Sequence, residues 1–460
     1  MQPPVLRPNK FFSCFGVPAV LFVLPSLLAV LIPLYLLPVR PANINPSRSA
    51  YPYLMTALGS DLYFFAETGH GNDDFSWQLY RAEGTQVTQV SNVYSDSGGI
   101  SIPTLAPAQI GESVYFVVPA KYGYKDELWR TDGTISSTHI ITDFGFPAAP
   151  HFSSWQSAGD YLYIVDSAGP ENLWRTNGTS AGTVLLATGL WPFYAFYGSA
   201  GNAVYYAAQD PGLSGFRHFR ASPSGIEGLT TNISGFEMGV VNDGDLYVAD
   251  STRLVRVKAE RTDGEILASN IWDHQITSLH AAGGQIFIID SNNPEYEDQT
   301  LWRFDPNTGA TDRIGTYGKI TAFGALGNAV YFSTSPREAR FSGDSLLRLP
   351  KNSVTPEFVI RFGGGDHEVA QITANSQWLF LNVAYASARI SQVWVSDGTP
   401  LGTRILVRTK NPYSMLFMEC PCLTVAGDRP YFDKADDQED IELWTVTNAP
   451  HSFFLPQIGR

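Results

Sequence analysis

Cysteine is nearly missing from this chain, with three in 460 residues. Cys14 lies in an apolar run, and Cys420 and Cys422 form a CxC pair in ECPCL, so the sequence offers neither a disulfide framework nor the CxxC spacing of redox and zinc sites. Basic residues are scarce as well. Beyond Arg40 there are 27 basic against 44 acidic side chains, a net charge of −17. That balance excludes a nucleic-acid partner, because phosphate binding needs a basic stripe. Charged residues make up only 16% of the chain, while 10 Trp, 22 Tyr, 28 Phe, 41 Gly and 30 Pro are present. This composition excludes bulk disorder and favours short strands joined by turns over long helices.

Long apolar runs are absent except for one. From Phe11 to Val39 the only ionisable side chains are Cys14 and Tyr35, over 29 residues. A membrane-spanning helix needs about 20, so residues 11–39 are expected as an uncleaved transmembrane anchor. Residues 1–10 would be a short tail and 40–50 a linker. Four prolines (Pro18, Pro25, Pro33 and Pro38) lower the helix quality of this segment. A secretory signal is the competing reading, but its apolar region runs about 7–15 residues and ends in a small-x-small site, which PVRPANIN lacks. Arg7 and Lys10 before the segment, against Arg40 and Arg48 after it, give a weak bias toward a cytoplasmic amino terminus. The rest of the chain would then sit outside the cytoplasm.

One motif recurs through the remainder. ELWRTDGT (127–134), NLWRTNGT (172–179) and QVWVSDGT (392–399) are near copies. Their aromatic aligns with Tyr80, Phe219, Val255, Trp302, Leu347 and Trp444, giving nine units at a mean spacing of 45.5 residues. A second motif keeps the same phase: a Gly-Asp or Gly-Asn turn followed by an aromatic and β-branched run, as in GESVYFV, GDYLYIV and GNAVYFS. Turn-then-strand chemistry of this kind gives four short strands per unit, with Asp-Gly or Asn-Gly in the hairpin after the Trp-Arg strand. Repetition of such units predicts an all-β propeller of nine four-stranded blades over 51–460, with eight or ten as the neighbouring counts.

The three best copies resemble the ELWxxDGT repeat family of bacterial surface and secreted proteins; the other six units are degenerate. The resemblance implies a propeller fold and an extracytoplasmic location. It brings no general set of catalytic residues.

The motifs that suggest chemistry reduce mostly to structure. Gly178-Thr-Ser-Ala-Gly182 matches G-x-S-x-G, but it falls in the repeated hairpin turn and not in the strand-turn-helix elbow that a serine nucleophile requires. Arg follows the motif aromatic in seven units, and its stem is expected to lie between blades with the guanidinium capping a carbonyl or carboxylate. The positions at which the innermost strands begin are more informative. Counting back from each aromatic strand gives Tyr51, Pro103, His151, Phe193, Gly235, Gln275, Lys319, His367 and Glu419. His274 adjoins Gln275, and Asp273 and Asp366 precede their histidines. This set predicts a polar funnel at the channel mouth that binds a ligand or titrates near neutral pH. A channel of eight or nine blades would hold the rings too far apart to share a metal. Trp191 and Tyr194, in WPFYAFY, would add an aromatic platform suited to sugar rings, with blade core as the plainer reading. Acidic stretches at 72–74, 295–298 and 433–440 have the carboxylates calcium uses but not the spacing of its 12-residue loop. No cofactor is therefore expected beyond calcium at those loops.

These features fit a membrane-anchored binding or scaffold module with a protein or carbohydrate ligand. The alternatives are a polysaccharide hydrolase or lyase using the funnel, and a structural adhesion component.

Overall fold

The computed structural model describes residues 36–46, 49–69, 75–93, 104–119, 126–141, 150–167, 169, 171–190, 193–209, 216–231, 238–291, 298–335, 343–363, 367–385, 390–410, 423–436 and 440–448. They form nine four-stranded sheets, each built from consecutive strands except the last. In the third blade, for example, Phe152–Ala158, Tyr161–Asp166, Asn172–Thr176 and Val184–Thr188 pair in order. In blades such as the second and the sixth, the second strand is buried along its whole length because neighbouring blades cover both of its faces. Ser113–Val118 is buried at every position. Apolar layers accordingly form between blades: Tyr115, Val117 and Leu128 of the second blade pack with Leu162, Ile164 and Trp174 of the third. Likewise, Tyr431 and Leu443 of the ninth blade pack with Leu62, Phe64 and Tyr80 of the first, which closes the ring.

The repeated motif is the third strand of each blade. Its Trp and Arg point to opposite faces, and the Arg lies directly across from an aromatic of the second strand in the pairs Tyr115–Arg130, Tyr163–Arg175 and Tyr331–Arg348. Arg303 donates through Nη1 to the carbonyls of Lys351 and Ser353 in the next blade at 2.9 Å, and Arg256 donates to Glu265 of its own fourth strand at 2.7 Å. The fourth strand bulges opposite the motif in five blades, beside Trp174, Val255, Trp302, Leu347 and Trp394. Ser180 of the G-x-S-x-G match sits in the hairpin turn, where its carbonyl accepts from the Thr183 amide.

The DGT turn also couples blades. Gly178, at φ +85°, faces Tyr115 so closely that a Cβ there would lie 2.1 Å from the tyrosine oxygen. Gly398 stands in the same relation to Tyr331, at 2.0 Å. In both cases the tyrosine belongs to the preceding blade.

The ninth blade corrects the expected boundaries. Its inner three strands are Leu423–Ala426, Arg429–Ala435 and Ile441–Asn448, and its outermost strand is Leu36–Val39. The end of the segment expected as a transmembrane helix is thus an edge strand. Pro38 is tolerated there because an edge strand has one side without ladder partners. Residues 11–35 of that segment lie outside the described residues. Among the described residues no helix is long and apolar enough to cross a membrane.

Of the stretch expected as a linker, 40–50, the described residues 40–46 and 49–50 form a strap packed on the same blade. Arg40 pairs with Asp436 at 2.8 Å, Ser49 Oγ accepts from the Ile441 amide at 2.9 Å, and buried Ala50 donates its amide to the Ile441 carbonyl at 2.9 Å. The compact body runs from Pro38 to Val446.

Candidate functional site

The two faces of the ring differ in their connections. On one, strands 1 and 2 are joined by tight turns such as Gly111-Glu112, Gly201-Asn202 and Gly327-Asn328, and strands 3 and 4 by hairpins including the DGT turn. These turns interlock: the Asp160 amide donates to Asn202 Oδ1 of the next blade at 3.1 Å, and Asn375 Nδ2 donates to the Asp428 carbonyl at 2.7 Å. On the other face, the connections between strands 2 and 3 run from three to ten residues, and those between successive blades from two to eighteen. Such variability, on a rigid base, is where binding residues concentrate.

The sequence-predicted positions sit at this long-loop face, at or next to the starts of the first strands. His151 precedes Phe152–Ala158, His367 opens His367–Ala374, His274 precedes Gln275–Ala282 and Lys319 precedes Ile320–Leu326. Partners in the same or the adjacent blade hold several of the side chains at this rim. His151 Nδ1 lies 2.9 Å from Asp126 Oδ2; the carboxylate is 5% exposed and the imidazole 63%. Asp126 thereby fixes the ring while leaving most of it in solvent. The His367 ring stacks on Tyr385 at 4.2 Å between centroids, 10° from parallel. Asp273 accepts from Arg313 Nη2 at 2.9 Å and Nε at 3.0 Å. Lys319 reaches across a blade boundary to Glu368, the neighbour of His367 in sequence, at 2.7 Å.

The three histidines belong to the third, sixth and eighth blades. Among the described residues no three His, Cys, Asp or Glu side chains form a group that could hold a metal ion. Asp366, Glu419 and Trp191 lie outside the described residues, as do the side chain of Tyr194, the CxC pair and the acidic stretches at 72–74 and 295–297. Of the third acidic stretch, Asp436 is committed to Arg40.

A set of buried polar groups behind the rim was not anticipated. Asp126 also accepts from the Phe152 amide of the next blade at 2.9 Å. Three residues before the motif aromatic in other blades, Gln299 accepts from the Ile320 amide at 2.7 Å and Asp344 accepts from the Val369 amide at 2.9 Å. Burial raises the Asp344 carboxyl above the usual carboxylate range, against the Val369 and Thr321 hydrogen bonds that lower it. These groups clamp the start of each following blade. A second set ends the second strands: Asp166 accepts from the His151 amide at 3.0 Å, and Asp290 accepts from the Asp273 amide at 2.8 Å and from Trp302 Nε1 at 3.0 Å. The polar Asp ending the apolar runs LYIVD and IFIID was the available signal.

The Asp126 clamp predicts an asymmetry between neighbours. Asp126→Ala leaves the amide of buried Phe152 without its acceptor and should destabilise the chain by about 1–3 kcal/mol, whereas His151→Ala, at an exposed ring, should cost well under 1 kcal/mol. Denaturant titration of the two variants measures both, and equal losses would show that Asp126 does not clamp the third blade.

No family model and no curated protein matches the chain. Solved structures match parts of it at low identity. It resembles a puromycin-hydrolysing peptidase of Mycobacterium tuberculosis at 14% identity and TM-score 0.39, over 70% of this chain and 55% of that one. A prolyl endopeptidase matches at 11% and 0.43, over 74% and 54%. An oligogalacturonate lyase in complex with manganese matches at 11% and 0.41, over 75% and 99%. The match spans little more than half the length of each peptidase.

Proposed function

We propose that this chain is a rigid binding or scaffold module, held outside the cytoplasm by its apolar amino-terminal segment, that takes a protein or glycan ligand at the long-loop face. The asymmetry of the ring supports this reading most directly. One face consists of interlocked short turns, and the other presents loops of widely different length over a rim of anchored His, Lys and aromatic side chains. The buried carboxylates support it too, since they fix the rim backbone before any ligand arrives and so reduce the ordering cost of binding.

The test compares the full chain with a His151→Ala, His274→Ala, His367→Ala triple variant, on a glycan array and in crosslinking to purified surface proteins. The rim reading expects a ligand retained by the parent and weakened at least about tenfold in the variant, a loss of about 1.4 kcal/mol or more. Equal retention by the two would remove the histidine rim as the binding surface.

A further inference from the structure

A cavity of about 390 Å³ opens at the ring closure, between the strap and the ninth blade. The strap contributes Arg40, Asn43 and Pro46, and the blade contributes Lys434, Asp436, Asp440 and Trp444. It shares no residue with the rim described above.

The lining carries two cations and two carboxylates, so its formal charges cancel. A charged ligand would gain partners of one sign and be opposed by the other. A hydroxyl group escapes that conflict, because it donates to a carboxylate and accepts from a guanidinium or ammonium, and an Asn side chain serves it both ways. Existing bonds leave room for such a ligand. Arg40 engages Asp436 through one of its nitrogens, Nη1, at 2.8 Å, while a guanidinium carries five N–H donors. Asp440 accepts from Ser49 Oγ at a long 3.4 Å.

The apolar part of the wall is small: the Pro46 ring and the indole of Trp444. The indole N–H is committed to the Lys434 carbonyl at 3.1 Å, and the Lys434 ammonium lies 3.8 Å from the ring centroid. The indole and the Pro46 ring supply the apolar contact that the C–H groups of a sugar ring use. The volume stands at the small end of ligand pockets, which span roughly 300–1,000 Å³, enough for one or two sugar rings.

We propose that this cavity binds a neutral mono- or disaccharide. Because its walls come from both the strap and the ninth blade, occupancy holds the closing strand Leu36–Val39 in place and tightens the ring.

The experiment titrates the full chain with glucose, galactose, N-acetylglucosamine and maltose, with glucuronate and glucosamine as the anionic and cationic comparisons, and follows Trp fluorescence and thermal unfolding. At least one neutral sugar should saturate in the millimolar range and raise the unfolding temperature in step with its occupancy. Asn43→Ala and Asp440→Asn should each weaken that sugar about tenfold. Among the described residues Asn43 makes none of the bonds between strap and ninth blade, so its variant keeps the closure and isolates the cavity. The His151, His274, His367 triple variant should bind the sugar as the parent does, which separates this site from the rim. Absence of saturation by every neutral sugar, binding of the charged sugars alone, undiminished binding by the Asn43 variant, or loss in the rim variant would each overturn the proposal.

Discussion

Gly178→Ala should destabilise the chain by about 2–5 kcal/mol, a large effect for the addition of one methyl group. Two costs combine. An alanine forced into the left-handed region costs about 1–2 kcal/mol, and Gly178 sits at φ +85°. The new Cβ would also stand 2.1 Å from the oxygen of Tyr115, whose ring is 2% exposed and fixed between the second and third blades. Overpacking of that kind adds about 1–3 kcal/mol. Tyr115→Phe removes the oxygen but not the backbone strain, so the double variant should recover the second cost and keep the first. Denaturant midpoints of the parent, the two single variants and the double variant complete the cycle. The geometry also ranks the repeats: Gly133, where the approach of Tyr63 is a looser 3.1 Å, should lose less on the same substitution. An unchanged midpoint for Gly178→Ala, or no recovery in the double variant, would disprove the contact.

That contact gives the glycine of the turn a packing role between blades, which the repeat pattern alone does not reveal. The nine blades were legible because the aromatic strand and the Trp-Arg strand recur in one phase. Even the degenerate units keep the cross-strand logic: Tyr205 faces Arg220, and Tyr247 faces Arg256. The Tyr115–Gly178 packing was not legible, since it joins residues 63 positions apart through a blade boundary that only the closed ring creates. The rim positions were placed by the same period. The Asp126 and Asp344 clamps escaped because they sit one residue before the motif and act on the following blade, while the eye is drawn to the Glu of ELW.

The closure was misread for a physical reason. LLPV at 36–39 continues an apolar run, and an apolar edge strand and the end of a membrane helix have the same composition. Only pairing distinguishes them, and the partner, Ile441–Asn448, lies at the opposite end of the chain. The strap was equally opaque, because Pro, Asn and Ser at 41–50 read as linker chemistry. Its order comes from single contacts to the ninth blade: Arg40 on Asp436, Ser49 on Ile441 and Ala50 on Ile441.

The seam between the strap and the ninth blade should weaken as the pH rises from about 5 to 8. Glu442 carries no solvent exposure and accepts from the Ile44 amide at 3.3 Å, so it holds the strap from beneath the blade surface. Burial pushes its carboxyl up from 4.5 to about 7, while the Ile44 amide, Arg40 and the Asn45 amide pull it down and Asp436 adds to the rise. Lys434 lies directly across from it in the sheet. A carboxyl raised in the folded state stays protonated there while the unfolded chain is already ionised. Its contribution is therefore fully present below pH 4.5 and is lost as the pH climbs through about 7. At about 1.4 kcal/mol per pKa unit, the loss amounts to roughly 3 kcal/mol. Glu442→Gln removes the titration and keeps an oxygen for the Ile44 amide, although its added amide N–H₂ shifts the whole curve by an amount set by local packing. The slope is the decisive quantity. Between pH 5 and pH 8 the parent should lose about 2–3 kcal/mol relative to the variant, measured as the difference between their denaturant-unfolding free energies. Carboxylates held low elsewhere, such as Asp250 against Arg253, are common to both proteins and cancel in that difference. Parallel curves across this range would mean that Glu442 does not govern the closure.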